Sequence, residues 1–200
     1  MTDCVIGLTG PTGAGKSTWT AAFRALGCAV IDCDALAGQV TEEPKVQQAL
    51  QKEFGADVVK DGVLNHRLLA ACAFVDAQSV KRLNAVTHPA IGADIDRLMR
   101  HYKQLNLPAI IIDAPLLFEG KLDTLCSMTA AVLAPRELRL ARIQGRDGIT
   151  KAEAERRMAS QHDDHFFQQH ADEILDGSAP AEQIPALAAQ KLQDWLGKCI

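Results

Sequence analysis

Residues 10–17 read Gly-Pro-Thr-Gly-Ala-Gly-Lys-Ser, directly after the apolar run Cys4-Val5-Ile6-Gly7-Leu8. A glycine, four residues and then Gly-Lys-Ser, entered from a strand and followed by a helix, is the pattern of a phosphate-binding loop. It dictates strand, tight turn and helix in that order. Gly10, Gly13 and Gly15 open backbone conformations that a Cβ forbids, so successive N–H groups can turn toward phosphate oxygens. Lys16 supplies a point charge for the β- and γ-phosphates, and the Ser17 hydroxyl suits Mg²⁺. The helix predicted to start at Lys16 aims the positive end of its dipole at the same anion. A glycine-rich turn matching by accident is the alternative, and the amphipathic residues 19–26 that follow argue against it. The chain is expected to bind a nucleoside triphosphate.

The rest of the chain alternates strands with helices. Apolar or β-branched strands are predicted at residues 5–9, 29–32, 109–113 and 128–133, with a short fifth at 174–175. Helices are predicted at 16–26, 135–146 and 185–196. Continuous apolar strands separated by helices indicate a parallel sheet covered on both faces. Between Asp34 and Pro108 the pattern shows no good strand. Helical stretches at about 44–54, 65–74 and 78–102 are broken by Gly55 and by Asp61-Gly62. They predict an inserted helical subdomain, at about residues 35–107, that holds a second substrate. The whole is expected to be one α/β domain over residues 1–200, a three-layer αβα P-loop NTPase fold with a five-stranded parallel sheet. A small helical lid is placed at about residues 139–170.

Charge limits the partners. The 200 residues carry a net charge of −4, which argues against a nucleic-acid or anionic-membrane surface. No basic-then-apolar leader and no run approaching ~18 apolar residues is legible, and the six cysteines form no Cys-x-x-Cys pair. The expectation is a soluble, cytoplasmic protein with reduced thiols, acting on small molecules as a monomer or weak homo-oligomer.

A phosphate loop alone is shared by kinases, GTPases and ATP-driven switches. No Asn-Lys pair is available for a guanine-reading element. The chain instead has Asp32-Cys33-Asp34 at the carboxyl end of the second strand, the side of a doubly wound sheet where ligands sit. An alcohol acceptor is a poor nucleophile, and an aspartate within reach can orient it and take its proton during phosphoryl transfer. Asp34 is the candidate base. Capping a helix that begins at Ala35 is the structural alternative for either acid.

Motifs along most of the chain resemble the dephospho-coenzyme A kinase family. They include Leu8-Thr9-Gly10 with residues 13–18, Asp32-Cys33-Asp34, Asp61-Gly62-Val63-Leu64, Leu83-Asn84 with Thr87-His88-Pro89, Pro115-Leu116-Leu117-Phe118-Glu119, Arg146-Asp147, Gln161 and Ala171-Asp172. The resemblance implies an ATP-dependent kinase that phosphorylates the ribose 3′-hydroxyl of dephospho-CoA. It assigns Asp34 as general base and the segment Gly13, Ala14, Gly15, Lys16, Ser17 and Thr18 to the ATP phosphates. It also favours His88 as an acceptor contact, although His88 alone reads as a capping or packing residue.

Other candidates follow from position. Asp113 closes an apolar strand and is a possible second Mg²⁺ ligand beside Ser17. Pro115–Glu119 leaves the sheet beside the expected acceptor pocket, where Leu116 and Leu117 are either acceptor contacts or ordinary core and Glu119 is placed to orient the acceptor. His88-Pro89 should kink or restart its helix. Arg139, Arg142 and Arg146 share one helix face, either as a solvated stripe or as lid arginines, with Arg142 and Arg146 the catalytic candidates and Arg142 an ATP contact. Thr150 and Glu153 spell a capping box for the next helix. The chain departs from the family pattern at His66, where Arg67 is the substitute acceptor contact. Residues 162–170 hold no Lys or Arg, and no Asn follows the last strand. Two rival readings are another small-metabolite kinase of this fold and a non-catalytic ATP-binding switch.

Overall fold

The computed structural model describes residues 2–199, which divide into two compact units. Of the described residues, unit 1 comprises 2–32 and 101–199, and unit 2 is the interval 33–100.

In chain order the elements are β1 (Val5–Thr9), α1 (Lys16–Ala25), β2 (Ala29–Asp32), α2 (Cys33–Thr41), α3 (Pro44–Phe54), β3 (Val59–Lys60), β4 (Val63–Leu64), α4 (His66–Ala73), α5 (Ala77–Gln104), β5 (Ile110–Asp113), β6 (Met128–Leu133), α6 (Arg136–Asp147), α7 (Lys151–Ala159), α8 (Asp164–His170), β7 (Glu173–Asp176) and α9 (Ile184–Lys198).

Unit 1 is built on a five-stranded sheet in the order β2-β5-β1-β6-β7, and every pairing in it is parallel. All residues of β1, β5 and β6 are buried, as strands covered on both faces require. Under one face α1 and α9 pack together: Trp19, Phe23 and Trp195 are nearly or fully buried, and the Phe23 and Trp195 rings lie 5.3 Å apart. Truncating such a ring to Ala costs about 3–5 kcal/mol. On another part of the sheet Phe167 of α8 packs on Ala131 and Leu133 of β6. The register sets Leu8 and Asp32 both against Asp113, so the three strand ends share one edge. Residues that leave β1 there enter the phosphate loop.

Two expectations are corrected in unit 1. Cys4 and Cys199 form a disulfide, with Cα atoms 5.4 Å apart and a separation of 195 positions in sequence. The expected set of reduced thiols therefore holds only for Cys28, Cys33, Cys72 and Cys126. Burial pushes the Cys28 thiol up to about 11, so it is an inert core group. The second correction is Leu117, which is fully buried and packs beneath Gly7, where an added Cβ would meet its Cδ2 at 2.8 Å. Leu117 is core and not an acceptor contact.

Unit 2 has its own core of Val40, Val46, Leu50, Val58, Val59, Leu64, Leu69 and Ala73. The interval does contain strands: β3 and β4 form a two-residue antiparallel pair. Asp61 (φ 53°) and Gly62 (φ 76°) make the turn, both with the positive φ that a tight hairpin needs. Two-residue strands are too short to show alternation. The helix expected to kink or restart at His88-Pro89 does not restart there: it continues from Ala77 to Gln104 with Pro89 inside it. Its start is capped by Asp76, which accepts from the Ser79 N–H at 2.7 Å. α2 begins at Cys33, so Asp34 lies in the first helical turn and not at an N-cap before Ala35.

Among the described residues no helix is long and apolar enough to cross a membrane, and no cluster of three His, Cys, Asp or Glu is arranged to hold a metal.

Candidate active site

The loop between β1 and α1 owes its path to three glycines, Gly10 (φ 145°), Gly13 (φ 77°) and Gly15 (φ 100°), in conformations L side chains rarely adopt. At Gly13 space is also lacking, because a Cβ would stand 2.7 Å from the Arg139 carbonyl oxygen. Two backbone bonds tighten the turn: Ala14 N–H donates to the Pro11 carbonyl and Thr18 N–H to the Gly15 carbonyl, each at 3.1 Å. Ser17 and Thr18 are exposed at the start of α1, and Lys16 is half-buried.

Lys16 Nζ donates to Asp113 Oδ1. Thr20, one turn along α1 from Lys16, donates its hydroxyl to Asp113 Oδ2 at 2.7 Å. The Asp113 carboxylate is thus held through both oxygens at the end of β5. Thr20 was missed in the sequence, although its i, i+4 spacing from Lys16 puts it on the same helix face.

The arginines of α6 divide. Arg139 is buried and donates Nε to the Thr12 carbonyl at 3.1 Å and Nη1 to Asp164 at 3.0 Å. Burial lowers its pKa from the ordinary arginine value, against the raising effect of Asp164. Arg142 Nη1 donates to the carbonyls of Gly13 (3.3 Å), Ala14 (3.2 Å) and Gly177 (2.8 Å). Arg146 is exposed and pairs with Asp147, which Arg157 also contacts. Hydrogen bonding from Arg146 holds the Asp147 carboxyl below its usual range. Arg142 and Arg146, expected to come over ATP on lid closure, are both engaged with protein groups in this structure. One gives its Nη1 to backbone oxygens and the other pairs at the surface.

The capping box is present: Thr150 accepts from Glu153 N–H, and the Glu153 carboxylate accepts from Thr150 N–H. Gln161, beyond α7, reaches back to accept the Thr12 N–H at 2.8 Å. The histidines of 162–170 form no metal cluster. Phe166 is stacked between His162 (3.7 Å) and His170 (4.1 Å). Glu119, expected to orient the acceptor, pairs with His162 at 3.1 Å, while Leu116 is largely exposed.

In unit 2, Asp34 and Arg67 are exposed on the first turns of α2 and α4, and His88 is exposed on α5. His66, the residue where the pattern departs, pairs with Glu42.

The turn after β7 carries Gly177 where the family pattern leads one to expect an Asn. Gly177 lies directly against the loop, where a Cβ would overlap the Ala14 carbonyl oxygen and approach the Leu133 oxygen to 2.9 Å.

The loop is able to hold an anion through backbone N–H groups and Lys16, and the Ser17 hydroxyl and Asp113 carboxylate are hard oxygen donors of the kind Mg²⁺ takes. Known proteins match this arrangement. The sequence model of the Dephospho-CoA kinase family matches residues 4–183. Dephospho-CoA kinase of Deinococcus radiodurans is 40% identical over 179 residues, covering 90% of this chain and 86% of that protein. The enzyme of the same name from Anaeromyxobacter dehalogenans is 35% identical, covering 96% and 92%. The crystal structure of TT1252 from Thermus thermophilus superposes with a TM-score of 0.82 at 32% identity, covering 96% of this chain and 98% of that one.

Proposed function

The chain belongs to the dephospho-CoA kinase family, and from that premise we propose how its own residues carry the reaction. The chain is an ATP-dependent kinase, a phosphotransferase with an alcohol acceptor. It transfers the γ-phosphoryl group of ATP to the ribose 3′-hydroxyl of dephospho-CoA, giving coenzyme A and ADP. The observation that carries the reading is the β1–α1 loop, with three glycines at positive φ around a lysine that heads a helix.

In this reading the N–H groups of the loop and Lys16 bind the triphosphate, and Lys16 stabilises charge on the phosphoryl group in flight. Lys16 then exchanges Asp113 for phosphate. Ser17 and Asp113 are the residues that would hold Mg²⁺, which when bound neutralises the β- and γ-oxygens. Asp34 orients the 3′-hydroxyl and accepts its proton. Its place inside the first turn of α2 supports that role, since an N-capping duty would put it one step before the helix. Arg67, His88, Leu116 and Glu119 are proposed to bind the acceptor. The enzyme works in the cytoplasm on small molecules, as a monomer or weak homo-oligomer, with no nucleic-acid or membrane partner.

Asp34→Asn tests the reading. The substitution keeps shape and removes charge and basicity. ATP affinity should survive while turnover on dephospho-CoA falls by ~10²–10⁴-fold, the usual contribution of a positioned acid or base. Unchanged turnover would remove Asp34 from the mechanism. A wild type that releases ADP with shikimate or AMP and not with dephospho-CoA would replace the acceptor.

A further inference from the structure

The carbonyl oxygens of three successive loop residues, Thr12, Gly13 and Ala14, are all held by two arginines one turn apart on α6. In a trans peptide the C=O of one residue and the N–H of the next point in opposite directions. Fixing these three oxygens on α6 therefore fixes the N–H vectors of Gly13, Ala14 and Gly15 on the far side of the loop. The Ala14 N–H closes the turn onto Pro11. Among the described residues, neither Gly13 nor Gly15 gives its N–H to a protein acceptor. Those two are directed at the space an anion fills.

We propose that Arg139 and Arg142 are positioning residues for the phosphate loop, acting through its carbonyl oxygens rather than on phosphate, so that the Gly13 and Gly15 N–H groups stand ready for the nucleotide. Three further contacts fit this role. Arg139 is itself fixed by Asp164 of α8, at 3.0 Å. Gln161 takes the Thr12 N–H at 2.8 Å, so the loop tip is gripped from both ends of one residue. Arg142 places its shortest bond, 2.8 Å, on Gly177, which ties the β7–α9 turn into the same lattice of bonds. Donors held in place before the ligand arrives cost no reorganisation when it binds. Arg142 serves its three carbonyl oxygens from the one nitrogen Nη1 at the tip of a planar guanidinium, and a lysine side chain ends one bond short of that position.

The inference rests on the loop being the ATP site. The probes are inorganic pyrophosphate and ATP, with chelator present to exclude divalent cations. Arg142→Lys should weaken both by the same factor, about tenfold for one or two lost hydrogen bonds. The Gly13 and Gly15 amide resonances of the variant should move before any phosphate is added, and the KM for ATP should rise more than kcat falls. Unmoved amides with a collapsed kcat and intact pyrophosphate affinity would overturn the proposal and put Arg142 on the reacting phosphoryl group. Because the variant can fail to fold, the wild type supplies a second test. Its Arg142 side-chain nitrogen resonances should change little on saturation with pyrophosphate, whereas a large change means the guanidinium leaves the carbonyls for the anion. Failure of the wild type to bind pyrophosphate or ATP at all would overturn the ATP-site reading and this inference with it. Binding by the wild type that Arg142→Lys leaves untouched, with unmoved amides, would overturn this inference alone.

Discussion

Lys16 and Asp113 are bonded to each other, ammonium to Oδ1, while the second Asp113 oxygen takes the Thr20 hydroxyl. A triphosphate must compete with that carboxylate for the lysine, and the carboxylate also repels it. Asp113→Asn removes both effects. ATP binding measured with chelator should tighten by roughly three- to tenfold, about 1 kcal/mol of released attraction in a partly exposed site. Turnover with Mg²⁺ should fall, because the same group is a proposed metal ligand. Weaker metal-free binding in the variant would show that Asp113 positions Lys16 more than it occupies it.

Two glycines of unit 1 should respond to alanine with opposite signs. A Cβ on Gly177 overlaps the Ala14 carbonyl and crowds Leu133, both backbone atoms that cannot rotate away. Gly177→Ala should cost about 1–3 kcal/mol as overpacking and reduce ATP affinity. Gly145, inside α6, has nothing within 4 Å of its added Cβ, so Gly145→Ala should stabilise by about 0.5–1 kcal/mol through helix propensity. Thermal melts of the pair, with ATP titrations, check both signs.

Acid should reveal the tie between β7 and α9. Glu173 accepts from Lys191 at 2.7 Å and Lys198 at 2.9 Å, and hydrogen bonding led by Lys191 pulls its carboxyl from 4.5 to about 2. A depressed folded-state pKa gives stability that is fully present above the unfolded value and lost as pH falls through the folded one. The Tm gap between wild type and Glu173→Gln should therefore be widest above about pH 5, narrow between pH 4.5 and 2, and close below that. A gap independent of pH would assign the loss to packing.

Reduction should destabilise unit 1. The Cys4–Cys199 bridge spans 195 residues, and a native disulfide typically contributes about 2–4 kcal/mol. For a chain of this size that is several degrees, at roughly 2–4 °C per kcal/mol. Melts with and without dithiothreitol, repeated on Cys199→Ser, should give the same lowered Tm for all reduced or substituted samples. A Tm indifferent to reductant would mean that the bond contributes nothing.

Much of the frame was legible because it rests on local patterns. The run Val5 to Thr9, the loop glycines and the capping box at Thr150 and Glu153 are each specified by neighbours in sequence, and each stands where the pattern puts it. What was illegible depends on partners distant in the chain. Leu117 reads as a pocket residue until Gly7 is found above it, 110 positions earlier. Arg142 reads as a lid arginine until the carbonyls of Gly13 and Ala14 are seen at its Nη1. Pro89 reads as a kink or restart because its missing N–H is a local fact, whereas the continuity of α5 is set by the helix around it. The Cys4–Cys199 pair has no spacing signature at all.

The supports of the phosphate loop also set an order of events during synthesis. The motif is complete at Ser17, yet Arg139, Arg142, Gly177 and the α9 helix that packs on α1 all emerge in the last third of the chain. Chains are made amino end first. A nascent polypeptide halted near residue 135 would carry every letter of the nucleotide-binding signature, with the loop's own turn bonds and Asp113, but without the arginines that hold its carbonyl oxygens. The loop's full set of supports is therefore complete only when the last third of the chain has folded onto it.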